Sequence, residues 1–192
     1  MPHAAERWTA ERVRALPDDG KRYELVSGQL VVTPSPRYAH QAAIGELAAI
    51  LRSAIMSDPG EGPARLFLLH SPADISLGED ELLQPDLFVH RTATGRRAER
   101  WSDITDLVLV IEVVSPATAR YDRHLKRLRY QRAGIPEYWI VDLDARLIER
   151  WRPGDERPEI LAERIAWRAE GSAGGVEIDL PGFFGEVLGV DG

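Results

Sequence analysis

Glu112 is the one charged residue in the stretch 107–114, Leu-Val-Leu-Val-Ile-Glu-Val-Val. A short run that is apolar on both faces and rich in Val and Ile reads as a strand covered from both sides. A carboxylate there costs several kcal/mol unless a partner, a metal or a proton compensates it. Two readings follow. Glu112 either reaches an Arg or water near the strand end, or it is a metal-binding or catalytic carboxylate held on a rigid scaffold. Asp86, directly after Pro85, falls in the strand expected before this one. Two carboxylates on neighbouring strands can share a divalent cation through oxygen ligands, the donor type Mg²⁺ prefers. Taken alone, Asp86 is equally a turn or bulge residue accepting from nearby backbone N–H groups.

Asp122, Lys126 and Tyr130 recur every four residues after Glu112 and so share one face of an expected helix. Spacing alone also describes a solvent-exposed Asp–Lys pair. The basic composition adds a pointer: of 24 basic residues, only Lys21 and Lys126 are lysine. A lysine kept in an arginine-rich chain suits a role that needs a compact, titratable ammonium. Glu24, beside Leu25 and Val26, reads as an ordinary strand-edge acid, and His40, near a helix start, as a structural residue.

The formal charge of −7 counts against a general nucleic-acid binder. The distribution of that charge weakens the objection. Residues 91–132 hold ten basic and five acidic residues, a net +5, against 14 basic and 26 acidic elsewhere, a net −12. An anionic substrate would therefore be expected to approach near the central strand, unless these arginines form a solvated helix face. The absence of cysteine excludes disulfides, thiol catalysis, Fe–S clusters and cysteine-based zinc sites. The five histidines show no zinc-hydrolase spacing, and there is no phosphate-cradling Gly-rich loop with Lys, no Gly-x-Ser-x-Gly and no dinucleotide fingerprint. Residues 1–11 lack the apolar core of a signal peptide, and no run approaches a membrane span, so a cytoplasmic protein is expected.

The elements that must position these residues follow from pattern. A short helix is expected from a Thr9 cap to Leu16, and a hairpin from strands at 23–26 and 29–32 around Ser27-Gly28. Pro34-Ser35-Pro36 breaks the second strand, and an amphipathic helix covers 38–57. A loop at 58–63, a strand at 65–77, a turn at 78–81 and a strand at 82–89 come next. Residues 91–105 read as polar loop. The central strand leads through Ser115-Pro116 into a helix over 118–133, stopped by Gly134 and Pro136. Strands at 137–141 and 147–151 pair across the 142–146 turn, and the remainder alternates turn signals with short apolar pieces ending at 180–184. The chain reads as a single α/β domain over 1–192 with a mixed sheet.

Pro85-Asp86 followed by Glu112-Val113-Val114 resembles the PD-(D/E)xK signature of restriction-endonuclease-like nucleases, with Val114 where the lysine usually stands. The block 111–116, then Asp122, Lys126 and Tyr130, then 134–142 is similar to one branch, the bacterial Uma family of proposed restriction endonucleases. The segments 23–28, Ser35-Pro36 with His40, and 180–182 match that family's opening and end, so the likeness spans almost the whole chain. It implies a restriction-endonuclease-like core, a mixed β-sheet flanked by helices, with the lysine relocated to the helix as Lys126. It further implies Asp86, Glu112 and the Val113 carbonyl as ligands of Mg²⁺ or Mn²⁺, with Glu24 completing the acid cluster. Lys126 would orient or help deprotonate water, or neutralise transition-state charge. Asp122 and Tyr130 would fix Lys126 by hydrogen bonds from behind, with His40 in a similar supporting place. The implied activity is metal-dependent DNA cleavage by a homodimer. A catalytically inactive interaction or regulatory protein on the same fold, or a phosphodiesterase acting on RNA or a nucleotide, are the alternatives.

Overall fold

The computed structural model describes residues 8–33, 35–57, 64–78, 81–116, 118–172 and 174–189. The expected loop at 58–63, Glu79-Asp80 of the expected turn, Pro34 of the strand break and residues 1–7 of the N-terminal segment lie outside them. Helix α1 (Ala10–Arg14) starts at Thr9, whose hydroxyl accepts from the Arg12 N–H. Strands β1 (Arg22–Val26) and β2 (Gln29–Thr33) form an antiparallel hairpin. Its two turn residues, Ser27 and Gly28, both take positive φ (54° and 75°), which matches the twist of the flanking strands. Helix α2 (Tyr38–Ser57) buries Ala43, Ile44, Leu47 and Leu51, the face its spacing announces.

The main sheet is built from β3 (Arg65–His70), β4 (Leu87–Thr92), β5 (Leu107–Val114), β6 (Glu137–Asp142), β7 (Leu147–Trp151) and β8 (Glu159–Leu161), side by side in that order. Of the pairings in this sheet, only β5–β6 is parallel. Its crossover runs through a π-helical turn (Tyr121–Lys126) that passes directly into α3 (Arg127–Arg132). A second hairpin-like pair, β9 (Arg164–Trp167) with β10 (Val176–Asp179), leads into α4 (Leu180–Leu188).

The two sheet faces bury different partners. Leu109, Ile111 and Val113 of β5 pack with α2 and with Leu180, Phe183, Phe184 and Val187 of α4. Val110 of the opposite face packs with Tyr130 of α3 and with Val26 and Val31 of the first hairpin. Glu112, two residues after Val110, points to that second face. The hairpin is anchored by Leu25, whose backbone exchanges hydrogen bonds with Leu82.

Several expectations need correction. The strand expected over 65–77 ends at His70, since Pro72 has no N–H for the ladder, and only Ile75 makes a later bridge, to Leu83. The strand expected over 82–89 begins at Leu87 and runs on to Thr92, so Pro85-Asp86 precede it instead of lying inside it. The helix expected over 118–133 is π-helical in its first half, with the Arg127 N–H reaching back to the Asp122 carbonyl. Residues 180–188 form a full helix, begun by the Asp179 side chain accepting from the Gly182 N–H at 2.8 Å with Pro181 in the first turn. Within the expected loop at 91–105, Trp101–Asp103 form a short 3₁₀ turn.

Candidate active site

The C-terminal end of β5, the residues leading into β4, the first hairpin and the π-turn meet at a cavity of about 330 Å³. Arg22, Glu24, His40, Asp86, Glu112, Val113, Asp122 and Lys126 all stand in its wall. Glu24, Asp86, Glu112, Asp122 and Lys126 are each 3% exposed or less. Their burial follows from the fold, because each projects from an element whose neighbouring side chains form the core.

Lys126 is the hub. Its Nζ lies 3.0 Å from Glu112 Oε1, 3.0 Å from Glu24 Oε2 and 3.2 Å from Asp122 Oδ1. Tyr130 also donates to Glu112 Oε1, at 3.2 Å. Glu24 is fixed from its other oxygen by the Gln84 N–H at 2.8 Å. The second oxygen of Glu112, Oε2, accepts no hydrogen bond among the described residues. Buried Asp122 Oδ1 sits close to the ammonium but out of hydrogen-bond alignment, and His40 Nδ1 is likewise buried without a hydrogen-bond partner among the described residues.

Asp86 is held on both oxygens. Arg22 Nη2 contacts Oδ1 at 2.7 Å, while the Val113 N–H (2.9 Å) and His40 Nε2 (3.2 Å) contact Oδ2. Asp86 stands just before β4 with its carbonyl accepting from the Ser71 N–H at 3.1 Å, and its side chain reaches across to the Val113 N–H of β5.

The electrostatics divide the carboxylates. Burial works to raise the Asp86 pKa, but the His40 and Arg22 contacts outweigh it and hold the group at about 2. Burial pushes Glu112 well above the usual carboxylate range; Lys126 opposes this, and Asp86, Asp122 and Glu24 reinforce it. Asp122 is raised for the same leading reason. Burial tends to strip the proton from Lys126, yet Glu112, Glu24 and Asp122 together keep its pKa well above that of a free lysine. Lys126 is therefore a fixed cation here.

Seven of the eight residues singled out by sequence are brought to one cavity, and the eighth, Tyr130, stands behind Glu112 in the core. The solvent-exposed alternative for the Asp122–Lys126 pair is overturned by burial of both side chains. Three arginines of the basic stretch 91–132 are already engaged. Arg123 pairs with Asp142 and Glu149, each at 2.6 Å, Arg129 pairs with Glu81, and Arg127 lies 4.4 Å over the Trp151 ring. These arginines fasten elements to one another. Sequence reading missed Arg22, although it precedes Glu24 by two residues in a strand and so shares its face.

Among the described residues, no three His, Asp or Glu side chains stand grouped as they would around a metal ion. Nor is any helix among them long and apolar enough to cross a membrane.

The fold is a six-stranded mixed sheet flanked by helices, with buried acids and a lysine converging at the end of its central strand. The chain belongs to the Uma2 family, described as "Putative restriction endonuclease", which it matches over residues 10–181. Its fold is similar to that of a crystal structure from Anabaena variabilis described as "a putative nuclease belonging to DUF820". The two share 19% identity at a TM-score of 0.70, over 94% of this chain and 99% of that one. No curated protein matches the chain in sequence.

Proposed function

We propose that this chain is a metal-dependent DNA endonuclease of the PD-(D/E)xK kind, with Asp86, Glu112 and Lys126 as its catalytic set. One observation carries the reading: a buried lysine amine 3.0 Å from Glu112, on the wall of the cavity that Asp86 also lines. An Asp and a Glu facing one cavity with a charged lysine is a donor set suited to phosphodiester hydrolysis.

The charge balance of the cavity supports a divalent cation held by two carboxylates and a backbone carbonyl. Four buried carboxylates, Glu24, Asp86, Glu112 and Asp122, face two fixed cations, Lys126 and Arg22. Fully ionised, they leave an excess of negative charge in a nearly dry pocket, and burial now answers it by favouring the protonated forms of Glu112 and Asp122. Asp86, the unengaged Glu112 Oε2 and the Val113 carbonyl would hold Mg²⁺ or Mn²⁺. The ion would supply Lewis acidity at a phosphodiester oxygen and lower the pKa of water.

The chain's own residues do the rest. Lys126 stays protonated, so it does not take the proton of the attacking water. It neutralises charge that builds on the phosphoryl oxygens and holds Glu112 in place. Glu24 and Asp122 aim Lys126, and Tyr130 fixes the Glu112 oxygen that Lys126 also holds. His40 steadies Asp86. A homodimer would place two such cavities on a duplex, one for each strand.

The test is cleavage of supercoiled plasmid in Mg²⁺ and then Mn²⁺, wild type beside Glu112→Ala and Lys126→Ala. Nicking or linearisation by wild type alone is the expected result. Intact plasmid from a folded, metal-binding protein would exclude the DNA reading and direct attention to RNA and nucleotide substrates. One observation favours a second reading, a catalytically inactive interaction protein on this fold: Arg22 and Lys126 already pair with Asp86 and Glu112, the two acids that a metal would use.

A further inference from the structure

We propose that Arg22 is a built-in stand-in for the metal at Asp86, and that it leaves this carboxylate to clamp the substrate phosphate when a divalent cation takes its place. The inference rests on the nuclease reading above and assigns that site a residue and an order of events.

Arg22 is the nearest cation to Asp86. Its Nη2 sits 2.7 Å from Oδ1, the carboxylate oxygen that neither Val113 nor His40 contacts. A cation seeking Asp86 therefore meets a hydrogen-bonded guanidinium already in position. A second cation on the same buried carboxylate oxygen is strongly repelled by the guanidinium, so metal binding favours a position of Arg22 away from Oδ1. It does not have to travel far. Nη1 donates to the Gln84 carbonyl at 3.1 Å, outside the acid cluster, and the side chain is 18% exposed on the cavity wall. Released from Asp86, the guanidinium keeps its charge and offers a planar fork of donors to the space where an anionic phosphodiester enters. The position on β1 supports this. Arg22 and Glu24 alternate on one face of the strand, so the hairpin that aims Lys126 through Glu24 also presents Arg22.

The consequence is competition in the absence of DNA and cooperation in its presence. Arg22 lowers the affinity of the free protein for the metal, and phosphate lifts that inhibition by drawing the guanidinium away from Asp86. The device would keep the acid cluster neutral and closed until cation and substrate are both available.

The experiment measures Mn²⁺ binding to the full chain by calorimetry without DNA, using wild type, Arg22→Gln, Arg22→Met, Arg22→Lys and Asp86→Asn, with circular dichroism to confirm folding. Arg22→Gln or Arg22→Met is expected to bind Mn²⁺ about tenfold or more tightly than wild type, the equivalent of about 1.4 kcal/mol. A merely structural role would predict weaker binding. Arg22→Lys retains a competing charge and should stay near the wild-type affinity, while its KM for plasmid cleavage rises several-fold because a single ammonium lacks the fork. Mn²⁺ affinity that is unchanged or reduced in both neutral variants would overturn the inference, provided that Asp86→Asn abolishes binding and so leaves the metal site itself standing. Equal Mn²⁺ binding by wild type and Asp86→Asn would instead remove the nuclease reading, and the inference with it. Should one neutral variant fail to fold, the other decides.

Discussion

Replacing Lys126 by Met keeps the volume and removes the charge, and its cost can be worked from the site. The ammonium is 3% exposed and lies 3.0, 3.0 and 3.2 Å from three carboxylates. At an effective dielectric of about 20, each such contact carries about 5 kcal/mol of gross attraction. Most of that offsets the burial of the charges, and removal of one partner from a buried ionic cluster costs a net of about 3–5 kcal/mol. For a chain of this size the melting temperature should fall by about 6–20 °C. The penalty also has a pH signature. Glu112 and Asp122 already have raised pKa values through burial, and without Lys126 they rise further. A carboxylate whose folded pKa exceeds its unfolded value of about 4 is protonated in both states at low pH and costs little there. The cost appears as pH climbs from the unfolded towards the folded pKa. Urea denaturation of wild type and Lys126→Met at pH 5 and pH 8 should therefore show a larger gap at pH 8. A gap below about 1 kcal/mol at both values would mean that the acids are not held by this lysine, and would refute the cluster as described.

Three further outcomes follow from the same structure. Glu112→Gln keeps an oxygen for the Lys126 and Tyr130 contacts but removes one of the three carboxylates that hold the ammonium, so it should cost about 1–3 kcal/mol in urea denaturation at pH 8 and abolish plasmid cleavage. Gly134 ends α3 with φ of 70° in open space for a Cβ, so Gly134→Ala meets only the backbone cost and should lose about 1 kcal/mol in thermal unfolding. His90 is buried in β4, and burial lowers its pKa, so its ring resonances should titrate below pH 6.5 in NMR. With a depressed folded pKa, the histidine contributes stability that is full above the unfolded value and is lost as pH falls, so His90→Phe should flatten the acid limb between pH 7 and 5.

Sequence periodicity was sufficient for the elements that bury a face of their own. Residues 38–57 carry one apolar stripe, and 107–114 are apolar on both sides, so α2 and β5 emerge with the expected bounds. Residues 65–77 and 82–89 misled for a physical reason: their apolar side chains do fill the core, but prolines at 72 and 85 remove ladder donors, so burial there outruns strand pairing. The C-terminal helix was hidden because Leu-Pro-Gly resembles a chain break, when Asp179 makes it a capped start. At the site, the acids and Lys126 were readable because a charge inside an apolar pattern demands a partner. Arg22 was not, because an arginine in a chain with 22 of them carries no surprise. Only its two-residue offset from Glu24, and the knowledge of which hairpin face meets Asp86, distinguish it.

The lysine on the crossover has a structural consequence of its own. Val114 lies two residues beyond Glu112 and lines the same cavity, so a lysine there would approach Glu112 from along the strand. Supplied instead from Tyr121–Lys126, the ammonium arrives from across the cavity and meets Glu24 and Asp122 as well as Glu112. That approach ties the first hairpin, the crossover and the central strand together through one charge. The π-turn belongs to the same solution. Its wider winding carries an extra residue past the sheet before α3 begins, and both Asp122 and Lys126 end up buried where an exposed pair would otherwise be expected. The Arg127 N–H reaches back to the Asp122 carbonyl across this turn, while the Lys126 amine on the same segment meets Glu112, Glu24 and Asp122. Position of the lysine and distortion of the helix are thus one feature, and straightening the turn should move the ammonium off Glu112.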